Sequence, residues 1–191
     1  MLTLRAATEA DLDFMVRIDL ADEGITHEYP QHHTKSDFAR CRQKLISYIN
    51  GFRAGVWVYE DRASLRMVGL IICRFRDLLI EPSTDANLFL LKHLDRSIFP
   101  ENGRFTELYQ LWVDPEFRRQ GLATNLKRHI EIESLHRSVN MIYTHTEEAN
   151  SHVIDLNLKL GYREVRRGPI WDEVIRVSLI KDLTTVELNQ I

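Results

Sequence analysis

Residues 111 to 124 read Leu-Trp-Val-Asp-Pro-Glu-Phe-Arg-Arg-Gln-Gly-Leu-Ala-Thr, and this stretch narrows the fold more than any other. It is preceded by β-forming residues from Arg104, with Phe105, Glu107, Tyr109, Leu111 and Val113 on one face of an alternating strand. Asp114-Pro115 ends that strand, because proline has no amide to give to a ladder. Leu122, Leu126 and Ile130 then recur at four-residue steps, which predicts a helix from about Gly121 to Ser138. The junction is a natural anion site. The first amides of a helix have no intrahelical acceptor and point outward, and the aligned peptide dipoles add about half a positive charge there. Gly121 lets the backbone come close to a ligand, and Arg118 and Arg119 can supply charge-assisted hydrogen bonds to a diphosphate. The plainer alternative is a structural strand–turn–helix with surface arginines. A Walker loop is excluded because no Gly-Lys-Ser/Thr occurs, and a dinucleotide fingerprint is disfavoured because GxGxxG is absent.

The rest of the chain supplies a sheet for this junction. Leu2 to Ala6 alternates like a strand, and Thr8 with Asp11 reads as the start of a helix carrying Leu12, Met15, Val16 and Ile18. Ser36 caps a second helix with Phe38, Cys41, Leu45, Ile46 and Ile49 inward, ended by Gly51 and Gly55. Val56 to Tyr59 and Met67 to Cys73 flank a polar turn at Asp61 to Ser64, which predicts a hairpin. After a helix-like run at Ala86 to Ile98 come a strand at Met141 to Thr144, a helix at Asn150 to Leu160 closed by Gly161, and a hairpin from Tyr162–Arg166 to Val174–Ile180. The order βααββ(α)βαβαββ is an α/β plan with a mixed sheet. With 191 residues the expectation is a single domain over 1–191, with a helical insertion at about 78–103.

Composition removes several functions. Lys and Arg number 25 against 28 Asp and Glu, a formal net charge of −3, which argues against a dedicated nucleic-acid binder and against acceptors carried on tRNA. Cys41 and Cys73 have no CxxC spacing, so neither a disulfide framework nor a zinc site is indicated. The first residues lack the pattern of a signal peptide, and the apolar runs are strand-sized. A soluble, cytoplasmic protein is the expectation.

At the junction the sequence resembles the GNAT family of N-acetyltransferases. That family's signature is Gln or Arg, two residues, Gly, one residue, Gly or Ala, and Arg118-Arg119-Gln120-Gly121-Leu122-Ala123 meets each fixed position. Phe117 and Leu111-Trp-Val-Asp-Pro match the preceding positions, and Asn150 followed by Leu160-Gly161-Tyr162 matches a second block. The resemblance spans Leu2 to Leu183. It implies a mixed, mostly antiparallel central sheet flanked by helices, and acetyl-CoA or another acyl-CoA as donor. It also implies a strand pair that splays to admit the pantetheine arm. The backbone of Leu111, Trp112 and Val113 would bond the pantetheine amides, and the amides of Arg119, Gln120, Gly121, Leu122 and Ala123 the pyrophosphate. Arg118, Thr124, Asn150 and Asn157 complete the cofactor-binding set.

The implied chemistry is direct acyl transfer to a primary amine of a small molecule or a protein. Glu107, six residues before Val113, is the candidate general base, and the Val113 amide the candidate oxyanion donor. The usual proton donor to the departing thiolate is a tyrosine seven residues after the asparagine, but here that position is Asn157. Tyr109, Tyr143, Ser151 and water are unranked substitutes. A non-catalytic acyl-CoA-binding sensor is the alternative function. Asp22, Glu23 and Glu28, in the loop from Asp22 to Thr34, would favour a cationic acceptor. His27, His32 and His33 have no ligand spacing, so no metal is expected. Asp172 and Glu173 beside Trp171 would line the acceptor pocket or merely decorate a turn, and His145 and His152 flank a strand end close to the expected thioester. The Ala86–Ile98 run would complete the core, act as a lid, or form a homodimer contact through Leu88, Phe89, Leu91 and Leu94.

Overall fold

The computed structural model describes residues 1–22, 35–80 and 94–184. The strands are β1 (Leu2–Ala6), β2 (Ala54–Asp61), β3 (Arg66–Asp77), β4 (Arg104–Val113), β5 (Met141–Glu147), β6 (Arg163–Pro169) and β7 (Ile175–Asp182). The helices are α1 (Leu12–Asp22), α2 (Lys35–Asn50), α3 (Leu122–His136) and α4 (Ser151–Lys159). One seven-stranded sheet runs in the order β1-β2-β3-β4-β5-β7-β6. Antiparallel pairs join β1 to β2, β2 to β3, β5 to β7 and β6 to β7. β4 and β5 are parallel, with Thr106 opposite Ile142 and Glu107 opposite Tyr143. This is the mixed sheet that the order of elements predicts, mostly antiparallel as the family resemblance implies.

The chain divides into two compact units, one of Met1–Arg74 with Tyr109–Leu126 and the other of Phe75–Leu108 with Lys127–Ile191. In the first, α1 buries Leu12, Met15, Val16 and Leu20 with Cys41 and Leu45 of α2, and with Val56, Val58, Leu70 and Ile72 of the sheet. Its entry is fixed as the sequence suggests. The Thr8 amide donates to the Asp11 carboxylate at 2.8 Å, and the Asp11 amide donates to the Thr8 carbonyl at 3.0 Å. Arg5 then pairs with Asp11 through its two terminal guanidinium nitrogens, at 2.8 and 2.9 Å. In the second unit Leu94, Phe99, Phe105, Met141, Tyr143 and Ile180 form the core.

Four expectations need correction. The second helix starts at Lys35, so Ser36 lies within its first turn, and Phe38 is 46% exposed, one turn before Cys41 begins the buried stripe. Gly55 lies inside β2 and does not end α2. A Cβ there would stand 2.2 Å from the Trp57 indole, two residues along the same strand face, so the glycine makes room for that ring. The third correction is the length of α3, which ends at His136, and Ser138 takes a left-handed φ of 56°. The run expected to be helical up to Ile98 finishes as a single 3-10 turn, Arg96–Ile98, because Asp95 is extended and its carboxylate accepts the Ser97 amide at 2.9 Å. Residues 86–93 of that run, with Leu88, Phe89 and Leu91, lie outside the described residues, as do Glu23, His27, Glu28, His32 and His33.

Candidate active site

The junction folds as a built turn. The Asp114 carboxylate accepts the Glu116 amide at 2.9 Å and Arg66 at 3.0 Å, which fixes the chain as it leaves β4. Arg118 donates through Nε to the Val113 carbonyl at 3.1 Å, so this side chain closes the turn that the sequence assigned to anion binding. Arg119 takes φ 62° and Gly121 φ 84°, two left-handed residues that swing the backbone around just before the helix. The Asn125 amide donates to the Gly121 carbonyl at 2.9 Å, which is the first helical bond. The amides of Leu122, Ala123 and Thr124 precede it and have no intrahelical acceptor. A Cβ built on Gly121 meets nothing within 4 Å among the described residues, and Arg118, Arg119 and Gln120 are exposed. The entry to α3 thus combines amides that lack an intrahelical acceptor with two exposed arginines, a combination suited to an anion.

On β4 the three candidate catalytic groups differ in their surroundings. Val113 is buried at the strand end. Glu107 is only 2% exposed, and its Oε2 stands 3.7 Å from Arg76 of β3, a guanidinium almost as deeply buried. Tyr109 is tied on both sides of its hydroxyl. It donates to Asp19 Oδ1 at 3.0 Å and accepts from Lys44 Nζ at 2.8 Å, while Lys44 also reaches Asp19 Oδ2 at 2.6 Å. Burial and the Asp19 charge hold the Tyr109 phenol well above its ordinary pKa. Burial alone would pull Lys44 down, but its bonds to Asp19 and Tyr109 more than offset this and hold the ammonium above the usual lysine value. Cys41 completes the group, its thiol donating to Asp19 Oδ2 at 3.1 Å.

The remaining candidates lie in the second unit. Asn150 occupies the cap position of α4, but its side chain reaches Thr146 Oγ1 at 3.4 Å and makes no cap bond. Asn157 is fully buried. Its Nδ2 donates back to the Val153 carbonyl at 3.0 Å, and its Oδ1 has no partner among the described residues. Tyr143 is buried with its hydroxyl 3.2 Å from that of Ser178, and burial with the Glu107 charge pushes its pKa up to about 12. Ser151 and His152 are exposed. His145 meets Trp171 edge to face at 5.3 Å, and Arg176 lies 3.9 Å from the same indole while pairing with Asp172. Among the described residues no group of three or more His, Cys, Asp or Glu could hold a metal ion.

Sequence reasoning passed over Asp19, Lys44, Arg76 and Lys127. A signal for Asp19 was present, since it continues the buried face of Asp11 and Met15 at four-residue steps. Arg76 carried none, because its partner lies 31 residues along the chain (107 − 76). Lys127 is 1% exposed beside Leu126, its ammonium 4.8 Å from the Tyr162 ring. Burial pulls its pKa down to about 7 against the attraction of Glu131.

A family model described as Acetyltransferase (GNAT) family matches residues 20–162. No curated protein matches the chain. Among solved structures, Arabidopsis thaliana NAA60 in complex with acetyl-CoA superposes with a TM-score of 0.69 at 18% identity, covering 96% of this chain and 99% of its own. The ribosomal-protein-S18-alanine N-acetyltransferase from Escherichia coli gives a TM-score of 0.61 at 16% identity, covering 99% and 98%. The spermidine/spermine N-acetyltransferase SpeG from Vibrio cholerae gives 0.63 at 18% identity, covering 100% and 99%.

Proposed function

Since the chain belongs to the GNAT acetyltransferase family, we propose that it transfers an acetyl group from acetyl-CoA to a primary amine of a small molecule or protein, by direct attack in a ternary complex. The observation that carries this reading is the turn from Arg118 to Ala123, where Arg119 and Gly121 are left-handed just before α3 and a Cβ on Gly121 would meet nothing within 4 Å among the described residues. In this proposal the amides of Arg119 to Ala123 hold the pyrophosphate, and the backbone of Leu111, Trp112 and Val113 holds the pantetheine arm. The Arg118 bond to Val113 adds a reason for that arginine, since it couples the phosphate turn to the end of the strand that would bind the thioester.

An amine substrate is mostly protonated near neutral pH, so attack on the thioester needs a base. Glu107 takes that role, and the Val113 amide stabilises the oxyanion as it develops. Tyr109 is poorly placed to return a proton to the thiolate, because its only proton is already given to Asp19. Tyr143 is buried against Ser178, and a carboxamide such as Asn157 is not an acid. Ser151, exposed at the start of α4, and water are left as proton sources. Asn157 is also what favours a second reading, an acyl-CoA-binding module without turnover.

The site is tested by Gly121→Glu and Gly121→Ala, with coenzyme A binding followed by calorimetry. Alanine adds backbone strain at a positive φ, and glutamate adds a negative charge where the diphosphate should lie. Loss of binding in the glutamate variant well beyond that in the alanine variant is expected, and equal affinities would sink the assignment. Thiol release from acetyl-CoA with spermidine, an N-terminal alanyl peptide and a lysyl peptide then separates the enzyme from the module.

A further inference from the structure

We infer that Arg76 is a positioning residue for Glu107, holding that carboxylate ionised and oriented in the sheet; the inference rests on the reading of Glu107 as general base. The pair is unusual in its place. A strand near the middle of a seven-stranded sheet ordinarily carries apolar side chains on its covered faces, and here a guanidinium on β3 and a carboxylate on β4 lie 3.7 Å apart, their side chains 6% and 3% exposed. Buried charges are costly, and replacing such a pair by apolar residues is often neutral or stabilising, so stability alone does not explain keeping it.

A base buried in a sheet faces a conflict. Burial favours its neutral form, which cannot accept a proton, whereas an adjacent cation restores the charged form. Arg76 supplies that cation permanently, because a guanidinium does not lose its proton in a protein. Tyr143, the neighbour of Glu107 across the parallel β4–β5 pairing, is a further titratable group beside it, and Tyr143 is itself influenced by Arg166. Its hydroxyl is occupied with Ser178 and stays neutral in the working range, so it adds no charge. Arg76 is thus a permanent positive charge 3.7 Å from the Glu107 carboxylate.

The test does not need the acceptor. Glutamate carboxyl carbons labelled with ¹³C are titrated by NMR in the intact protein, and the Glu107 signal is assigned by its loss in Glu107→Gln. Arg76→Met should raise the Glu107 midpoint by about one pH unit or more, while Arg76→Lys, which keeps a cation, should move it much less. With a reactive amine, the acid limb of kcat/KM should rise by the same amount in Arg76→Met, with activity recovering at alkaline pH. A purely structural arginine would instead cost the same factor at every pH. An unmoved midpoint in a folded Arg76→Met protein overturns the inference, and Arg76→Gln carries the same test where the methionine variant does not fold. If Glu107→Gln keeps normal turnover, the general-base reading fails first and takes this one with it. If Glu107→Gln is inactive and the Arg76 variants leave the limb in place, only the role of Arg76 fails.

Discussion

Tyr109 gives its one hydroxyl proton to Asp19 across 3.0 Å and receives another from Lys44 across 2.8 Å. A phenol held in this way is a fixed dipole, and releasing its proton would mean breaking the bond to Asp19 and charging an oxygen whose pKa is already raised. Tyr109→Phe should therefore change turnover by less than about tenfold, against the 10²–10⁴-fold loss expected of a general acid. Chemical unfolding of the same variant should show a loss of about 1–2 kcal/mol, because a buried carboxylate loses a donor. A turnover loss of a hundredfold in folded protein would return Tyr109 to the chemistry.

Glu107→Gln keeps the shape of the side chain and removes its basicity. Turnover should fall at least tenfold, while acetyl-CoA affinity, measured by calorimetry, should stay within about threefold. Loss of both together would mean that the substitution disturbs the sheet rather than the chemistry.

Lys127 sets a pH dependence of stability. Its folded pKa of about 7 lies below the unfolded value of 10.5, so between these two values the unfolded chain binds more protons than the folded one. Stability should rise with pH across that window, and below about pH 7 the penalty is fully present and constant. Lys127→Met removes the charge at similar volume and leaves Glu131 with its partner Lys181 at 2.7 Å. The variant should be more stable by on the order of 3 kcal/mol at pH 7, with the advantage shrinking toward pH 10. Urea unfolding at pH 7 and pH 10 reads both values, and an equal or negative difference at pH 7 would refute the assignment.

Asp11 acts in the opposite direction. Burial disfavours its charge, but Arg5 and the Thr8 amide outweigh that and hold the carboxyl below its usual value. A depressed folded pKa contributes stability above the unfolded value near 3.8 that is lost as pH falls through the folded one. Asp11→Asn should cost about 1–3 kcal/mol at neutral pH and flatten the acid limb of a stability–pH curve below about pH 4. An acid limb unchanged from the parent protein would show that other carboxylates govern acid unfolding.

The sequence by itself determined most of the elements and the turn between β4 and α3, because both are written in neighbouring residues. Alternation fixes β4 at Arg104–Val113, Asp114-Pro115 must stop it, and a glycine followed by a four-residue apolar period must start α3. Side-chain partners between distant segments were decided only by the tertiary structure. Arg118 reads as a free cation until the turn brings it to the Val113 carbonyl, and Tyr109 reads as a usable acid until α1 and α2 bring Asp19 and Lys44 to its hydroxyl. The charge opposite Glu107 likewise appears only when β3 carries Arg76 against β4. Local rules act through the backbone over a few residues, whereas the electrostatics of a buried group depend on whatever the packed sheet places within a few ångströms of it.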